Sequence, residues 1–351
     1  MKISKRVFLF GVLMCVFALL AACGSSDTGT SDANGEEVFE WSLASIYTDP
    51  STSTEFNAFG VSQQTFADLV EEKSEGRIKI NNYYNSVLGA NPEMFQNLRI
   101  GDLVAYYGEP MANVDERLGV LKLPYLFRDF EDVEKVLSNP DGELFHLYSE
   151  WLADHDVKLL AVAPGAFRGI TNAKHPVVGI DDVSDLVLRI YEDPVVNSFW
   201  GSISNAQPLA FSEVYTALET GTIDGLEFLA SSVVQRQFYE VTDHYTDIDW
   251  QWASGGTLMI GKEYWDALPD DLQEIVEEAA WEAMAHQGEL EKEFTQIALG
   301  ELEEKGVQVY QLTDEERSEW IDYARSLDEE FRDYVGADVF DQVMEIIESI
   351  D

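Results

Sequence analysis

One arginine frames the chemistry open to this chain. Residues 186–194 read LVLRIYEDP, an apolar strand interrupted by Arg189. The chain holds 22 Lys+Arg against 66 Asp+Glu, and an unpaired charge inside an apolar strand is costly. A guanidinium placed there needs an anion, and its planar fork fits a carboxylate through two parallel hydrogen bonds. That anion is either a protein carboxylate or a ligand. Groups for other kinds of chemistry are scarce. The five histidines, His146, His155, His175, His244 and His286, include no i,i+4 pair and no HExxH, which argues against a histidine metal site. No GxSxG elbow, P-loop or GxGxxG occurs. The acids in HDVK and TDIDW lack the spacing and central glycine of a calcium loop. Close carboxylate pairs arise everywhere by chance among so many acids, so their spacing neither supports nor excludes glycosidase chemistry. The expectation is a binding protein without a cofactor or metal, and not an enzyme.

The elements that must position Arg189 follow from the rest of the chain. Lys2, Lys5 and Arg6 precede a short apolar run, Val7 to Leu20, and then Ala21-Ala22-Cys23-Gly24. The run is too short to span a bilayer comfortably and reads as a secretory signal over 1–22. Small residues ending in cysteine make it resemble a bacterial lipoprotein signal, which implies that Cys23 becomes the lipidated first residue. Residues 23–37 are rich in Gly, Ser, Thr, Asp and Asn and read as a flexible tether. Cys15 leaves with the signal, so the folded part has no thiol, disulfide or thiolate metal site. The net charge of −44 becomes about −47 (−44 − 3) without the signal's three cations. Such a surface repels nucleic acid and anionic headgroups and suits a salty or alkaline medium.

Residues 38–47 alternate as an opening strand. Helical spacing over 54–74, a strand at 77–84, a helix over 88–102 with Asn91 as cap and Pro92 in first position, and a strand at 102–109 give a β-α-β-α-β rhythm, hence a parallel sheet. Helices near 129–138 and 142–155 and a strand at 157–163 follow. A second α/β stretch begins near Gly165, with strands near 167–171, 186–191 and 223–228 and helices near 194–201 and 212–220. Residues 250–261 read as one long strand. A helix of about 30 residues follows LPDDL, too long for one small domain. TDEE at 313–316 is a capping box, and a last helix covers 339–350. The fold class is therefore α/β, with two lobes: 38–165 with 254–293, and 166–253 with 294–351. Ligands in such folds sit beyond the carboxyl ends of strands and between domains.

Five stretches in order, GRIKINNYYNSVLG (76–89), LPYLF (123–127), FRGITNAKHPV to DDVSDLVLRI (167–190), PLAFSEVYTALETGTIDGLEF (208–228) and LPDDLQEIVEEAA (268–280), resemble one family. It is the DctP family of extracytoplasmic solute-binding proteins of TRAP (tripartite ATP-independent periplasmic) transporters, and the likeness covers about 38–340. The resemblance implies a two-lobed periplasmic-binding-protein-like fold whose long helix spans both lobes. It also implies an organic acid held between the lobes and handed to an ion-gradient-driven permease. Arg189 stands where this family grips the substrate carboxylate. Arg168 in FRGIT, Phe211 in LAFSEVY and Glu109 in YYGEP match further ligand-facing positions, and Asn57 lies near another. Sugar-acid members often carry Asn after DGxE, where this chain has Phe228; with Tyr191, Trp250 and Trp252 this points to a ligand with an apolar or ring portion. The alternatives are an ABC-type binding lipoprotein and a lipid-anchored hydrolase or lyase.

Overall fold

The computed structural model describes residues 29–31, 37–53, 55–253 and 256–350. Residues 1–22, expected as a signal, and Cys23 lie outside the described residues. Two six-stranded sheets carry the fold. The first runs β1–β2–β4–β11–β5, with β3 also paired to β2. Its strands are β1 Gly29–Ser31, β2 Glu37–Ala44, β3 Ile78–Tyr83, β4 Ala105–Gly108, β5 Val157–Val162 and β11 Thr257–Gly261. The second runs β12–β10–β6–β9–β7–β8. It comprises β6 Gly169–Asn172, β7 Val187–Ile190, β8 Asn205–Pro208, β9 Gly225–Phe228, β10 His244–Asp247 and β12 Gln308–Gln311.

Helices α1 (Ala58–Lys73) and α2 (Asn91–Arg99) connect β2, β3 and β4, and β2 is parallel to both β3 and β4, as the alternating rhythm requires. Strand β11 enters antiparallel between β4 and β5. The start of α2 differs in detail from expectation. Ala90 occupies the cap position, and the Glu93 carboxylate accepts from its backbone N–H at 3.1 Å. The Asn91 side chain instead accepts from the Tyr106 hydroxyl at 2.8 Å. Within the segment expected as a tether, Gly29–Ser31 pairs antiparallel with β2, because the edge of β2 offers unpaired backbone donors and acceptors.

The helices that follow are α3 Phe130–Val136, α4 Glu143–Ala153, α5 Pro194–Gly201, α6 Val214–Glu219, α7 Ala230–Gln235, α8 Lys262–Asp266 and α9 Asp270–Glu304. Helix α9 has 35 residues, about 50 Å at 1.5 Å per residue. Leu272, Val276, Ala279, Ala280 and Ala283 pack with Leu43, Ala105 and Leu258 of the first sheet. Ala298, Leu299 and Leu302 pack with Val214, Leu226 and Val233 beside the second. One helix thus braces both lobes, as expected.

Two expectations change. Residues 250–261 are not one strand: only Thr257–Gly261 joins the sheet, and Trp252 makes an isolated bridge to Phe167 where the chain crosses between sheets. The chain ends with α10 Asp314–Ser326, α11 Asp328–Val335 and α12 Ala337–Glu348. Trp320 and Ala324 of α10 pack with the second lobe, but Phe331, Val335, Phe340 and Val343 pack with Leu118 and Leu121 of the first. An amphipathic pattern marks a helix's apolar face without saying which lobe covers it, so the reading that placed all of 294–351 with the second lobe does not describe this packing.

Candidate functional site

Parallel strands β7, β8 and β9 bring their carboxyl ends together, with Arg189 opposite Gln207 and Leu226. Arg189 is 5% exposed. Its Nε donates to the Leu209 carbonyl at 3.0 Å, and its guanidinium lies 5.8 Å from the centre of the Phe211 ring. It forms no ion pair with a carboxylate among the described residues. Burial depresses its pKa, with Glu227 opposing. A desolvated guanidinium with free donors is a cation waiting for an anion.

Arg168, just before β6, has a protein partner. Its Nη1 donates to Glu227 Oε2 at 3.0 Å, and its guanidinium lies 5.4 Å from the Tyr191 ring centre. Burial opposes the Arg168 charge, but Glu227, Tyr191 and Glu109 more than offset it and raise its pKa. Burial raises the Glu227 carboxyl, and the two arginines pull it back. Glu227 Oε1 and Arg168 Nε remain buried without a hydrogen-bond partner, so this pair is itself incompletely satisfied.

A second buried cation completes the centre. Lys122 ends a short 3₁₀ turn of the first lobe. Its Nζ donates to Asp193 Oδ2 at 3.0 Å and lies 3.7 Å from Glu109 Oε2 and 5.3 Å from the Tyr191 ring centre. Burial opposes its charge, and Glu109 and Asp193 together raise its pKa above the ordinary value. Asp193 also caps α5 of the second lobe through the Val195 and Val196 amides. The Tyr191 hydroxyl donates to Gln251 Oε1 at 3.0 Å, and Gln251 Nε2 donates to the Lys122 carbonyl at 2.5 Å. Both lobes and a crossing segment are thereby tied to one polar centre.

The aromatic positions divide. Phe211 is 38% exposed, its ring 5.4 Å from that of Phe228, and Arg236 lies over it at 5.4 Å. These rings form an apolar flank beside Arg189. Trp250 is fully buried and stacks on Phe199 at 5.1 Å in the second lobe's core, leaving no face for a ligand. Trp252 is also buried, its indole donating to the Pro164 carbonyl. Asn57 caps α1: it accepts from the Gly60 amide and donates to the Thr48 and Ser53 carbonyls, which occupies it in holding that loop. The structure thus gathers Arg189, Arg168, Glu109, Tyr191, Phe211 and Phe228 near the strand ends, and gives Trp250, Trp252 and Asn57 structural contacts.

Sequence reasoning missed Glu227, Lys122, Asp193 and Gln251. The signal that singles out Arg189 was present twice more: a lone acid inside the strand GLEF and a lone lysine inside GVLKLPYLF. Chemically, the centre can hold and orient an anion. Among the described residues, no group of three or more His, Cys, Asp or Glu is placed to hold a metal ion, and no helix is long and apolar enough to cross a membrane.

Such a centre, between two α/β lobes braced by one long helix, is that of a two-lobed solute-binding protein. The family described as bacterial extracellular solute-binding protein, family 7 (DctP), matches residues 49–333, and the chain belongs to it. The C4-dicarboxylate-binding periplasmic protein DctP of Rhodobacter capsulatus is 30% identical over 281 residues, 78% of this chain and 82% of that one. A TRAP periplasmic solute-binding protein of Ochrobactrum anthropi, crystallised with its C-terminus in the ligand-binding pocket, superposes with a TM-score of 0.80 at 29% identity, over 89% and 95% of the two chains. Another from Chromohalobacter salexigens, with bound D-glucuronate, gives 0.78 at 27% identity, over 88% and 99%. The chain is an extracellular solute-binding protein and not an enzyme.

Proposed function

We propose that the protein captures a carboxylate-containing organic acid between its lobes and delivers it to a TRAP-type permease driven by an ion gradient. The observation that carries the reading is Arg189: a 5% exposed guanidinium with no ion-paired carboxylate among the described residues, in a chain with 66 acids. In this reading a ligand carboxylate takes the free face of Arg189, with Arg168, Tyr191 and Glu109 contacting its polar groups. Phe211 and Phe228 contact an apolar or ring portion. The dicarboxylate and glucuronate named for two relatives support an acid as the cargo. The lipoprotein-like signal supports removal of residues 1–22 and anchorage to the outer face of the cell membrane through lipidated Cys23.

A thermal-shift panel tests the acid. The chain is first freed of carried-over ligand by partial unfolding, then offered mono- and dicarboxylates, sugar acids, keto acids and aromatic acids. A ligand at about 1,000 times its Kd adds roughly 4 kcal/mol of stability. A shift with one acid class is expected. No shift with any of them overturns the reading and leaves Arg189 a structural cation.

A further inference from the structure

Helix α9 is apolar where it faces the protein except at one place. Its buried stripe runs through Ala279, Ala280, Ala283 and Met284 to Gln287, Gly288 and Glu291, then to Ala298 and Leu299. Gln287 is 0% and Glu291 2% exposed. One turn apart, the two side chains share a helix face. Gln287 Oε1 accepts from the Tyr107 hydroxyl, but Gln287 Nε2 and Glu291 Oε2 are buried and have no partner among the described residues. Burial alone pushes the Glu291 carboxyl up to about 8, as for an acid with no cation nearby. Two orphaned polar atoms at the same place in an otherwise apolar stripe are costly to the folded state.

Their neighbours connect them to the polar centre. A Cβ on Gly288 would stand 2.7 Å from Pro164 Cγ, so this turn of α9 lies against the crossing segment that continues to Arg168. Tyr107, near the carboxyl end of β4, is separated from Glu109 of the polar centre by Gly108 alone. The Tyr47 ring lies 5.3 Å from that of Tyr107 and is close enough to Glu109 and Arg168 to feel both charges. Tyr47 and Tyr107 therefore join the α9 turn to the arginine centre.

We propose that Gln287 and Glu291 form a second polar pole of the binding site, which receives a hydroxyl group of the ligand. This rests on the organic-acid reading and narrows it to hydroxy acids. The match is in the unused groups. Gln287 Nε2 is a free donor, and Glu291 Oε2 is a free carboxyl oxygen that accepts when ionised and can donate when protonated. A hydroxyl both accepts and donates, so one such group satisfies both atoms. An acid without it leaves both unpaired, and sites built on hydroxyl contacts reject analogues that lack them.

The test is calorimetric titration of the ligand-freed full chain with hydroxy acids and analogues lacking one hydroxyl: malate with succinate, and 3-phenyllactate with 3-phenylpropionate. The hydroxy member of the pair that binds is expected to bind tighter by about tenfold or more. Gln287→Leu and Glu291→Leu should bring that ratio to near one, with the deoxy acid's Kd within about threefold of wild type, while Glu291→Gln keeps much of the preference. Glu291→Leu removes an unpartnered buried carboxyl, so it should fold and melt no lower than wild type. Equal binding of both members, or a preference that survives both leucine variants, overturns the proposal and leaves the organic-acid reading intact. Binding of no acid in any pair, with no shift in the thermal panel, overturns both.

Discussion

At the residue scale the site is a set of charges whose pairing is incomplete. Arg168 and Lys122 have protein carboxylates, and among the described residues Arg189 has only a backbone carbonyl as a hydrogen-bond partner. Arg189→Ala is therefore expected to weaken acid binding by about 2–5 kcal/mol, the usual loss at a buried charge pair, with little change in the melting temperature of the unliganded protein. Arg189→Lys should also bind poorly, since a point charge cannot reproduce the fork; wild-type affinity in either variant counts against the assignment. Glu291 yields a separate expectation. Its folded pKa, raised by burial to about 8, exceeds that of the unfolded chain. Ionising it costs more in the folded protein, so stability falls as pH rises from the unfolded carboxylate range to about 8. Asp247, raised to about 7 by burial and Asp249 against the pull of Arg317, adds a fall of the same sign. Glu291→Gln should flatten the decline and leave the Asp247 part. Equal slopes between pH 5 and 8 for wild type and variant would show that Glu291 is ionised in the folded protein.

At the element scale, the crossing between the sheets is held by close approach. Gly165 has φ +64°, and an added Cβ would stand 2.6 Å from the Trp252 indole nitrogen and 2.9 Å from the Ala253 carbonyl. Gly165→Ala is expected to cost about 1–3 kcal/mol through backbone strain and that contact, seen as a lower urea midpoint. An unchanged midpoint would mean that the crossing yields. The same segment marks where sequence reading stops. Strands and helices of the first lobe were legible because β2, β3, α1 and α2 carry strong period-two or helical patterns bounded by glycine, and the long helix α9 showed in its repeated apolar positions. Strands β8, β10 and β12 were not. Each has four residues, as β6, β7 and β9 do, but NAQP, HYTD and QVYQ are mostly polar, and β8 and β12 lie on sheet edges. The aromatic-rich stretch 250–253 looks like strand because aromatic residues are enriched in strands. Arg189 was legible as a charge out of place, whereas Glu227 and Lys122 were passed over although their contexts are as apolar.

At the scale of the whole molecule, the charge is one-sided. Many of the ion pairs, such as Lys262–Asp266 and Lys135–Glu131, have both partners well exposed, and each contributes little. The repulsion among 66 acids facing 22 bases is spread over the whole surface. Salt weakens both the pairs and the repulsion, but the repulsion is the stronger of the two, and the screening length shortens from about 10 Å at 0.1 M to about 3 Å at 1 M. The melting temperature is thus expected to rise between 0.1 and 1 M KCl. A fall would mean that the exposed ion pairs outweigh the net charge.

The order of the strands has one more consequence. Each sheet is drawn from two separate stretches of chain: strands from 29–162 and 257–261 make the first, and strands from 169–247 and 308–311 the second. No single cut in the gene separates one half of the cleft from the other. A recombination event with one breakpoint cannot graft a new half-site onto an old partner; an exchange of β6 to β10 takes two breakpoints, one on each of the segments where the chain crosses between the sheets.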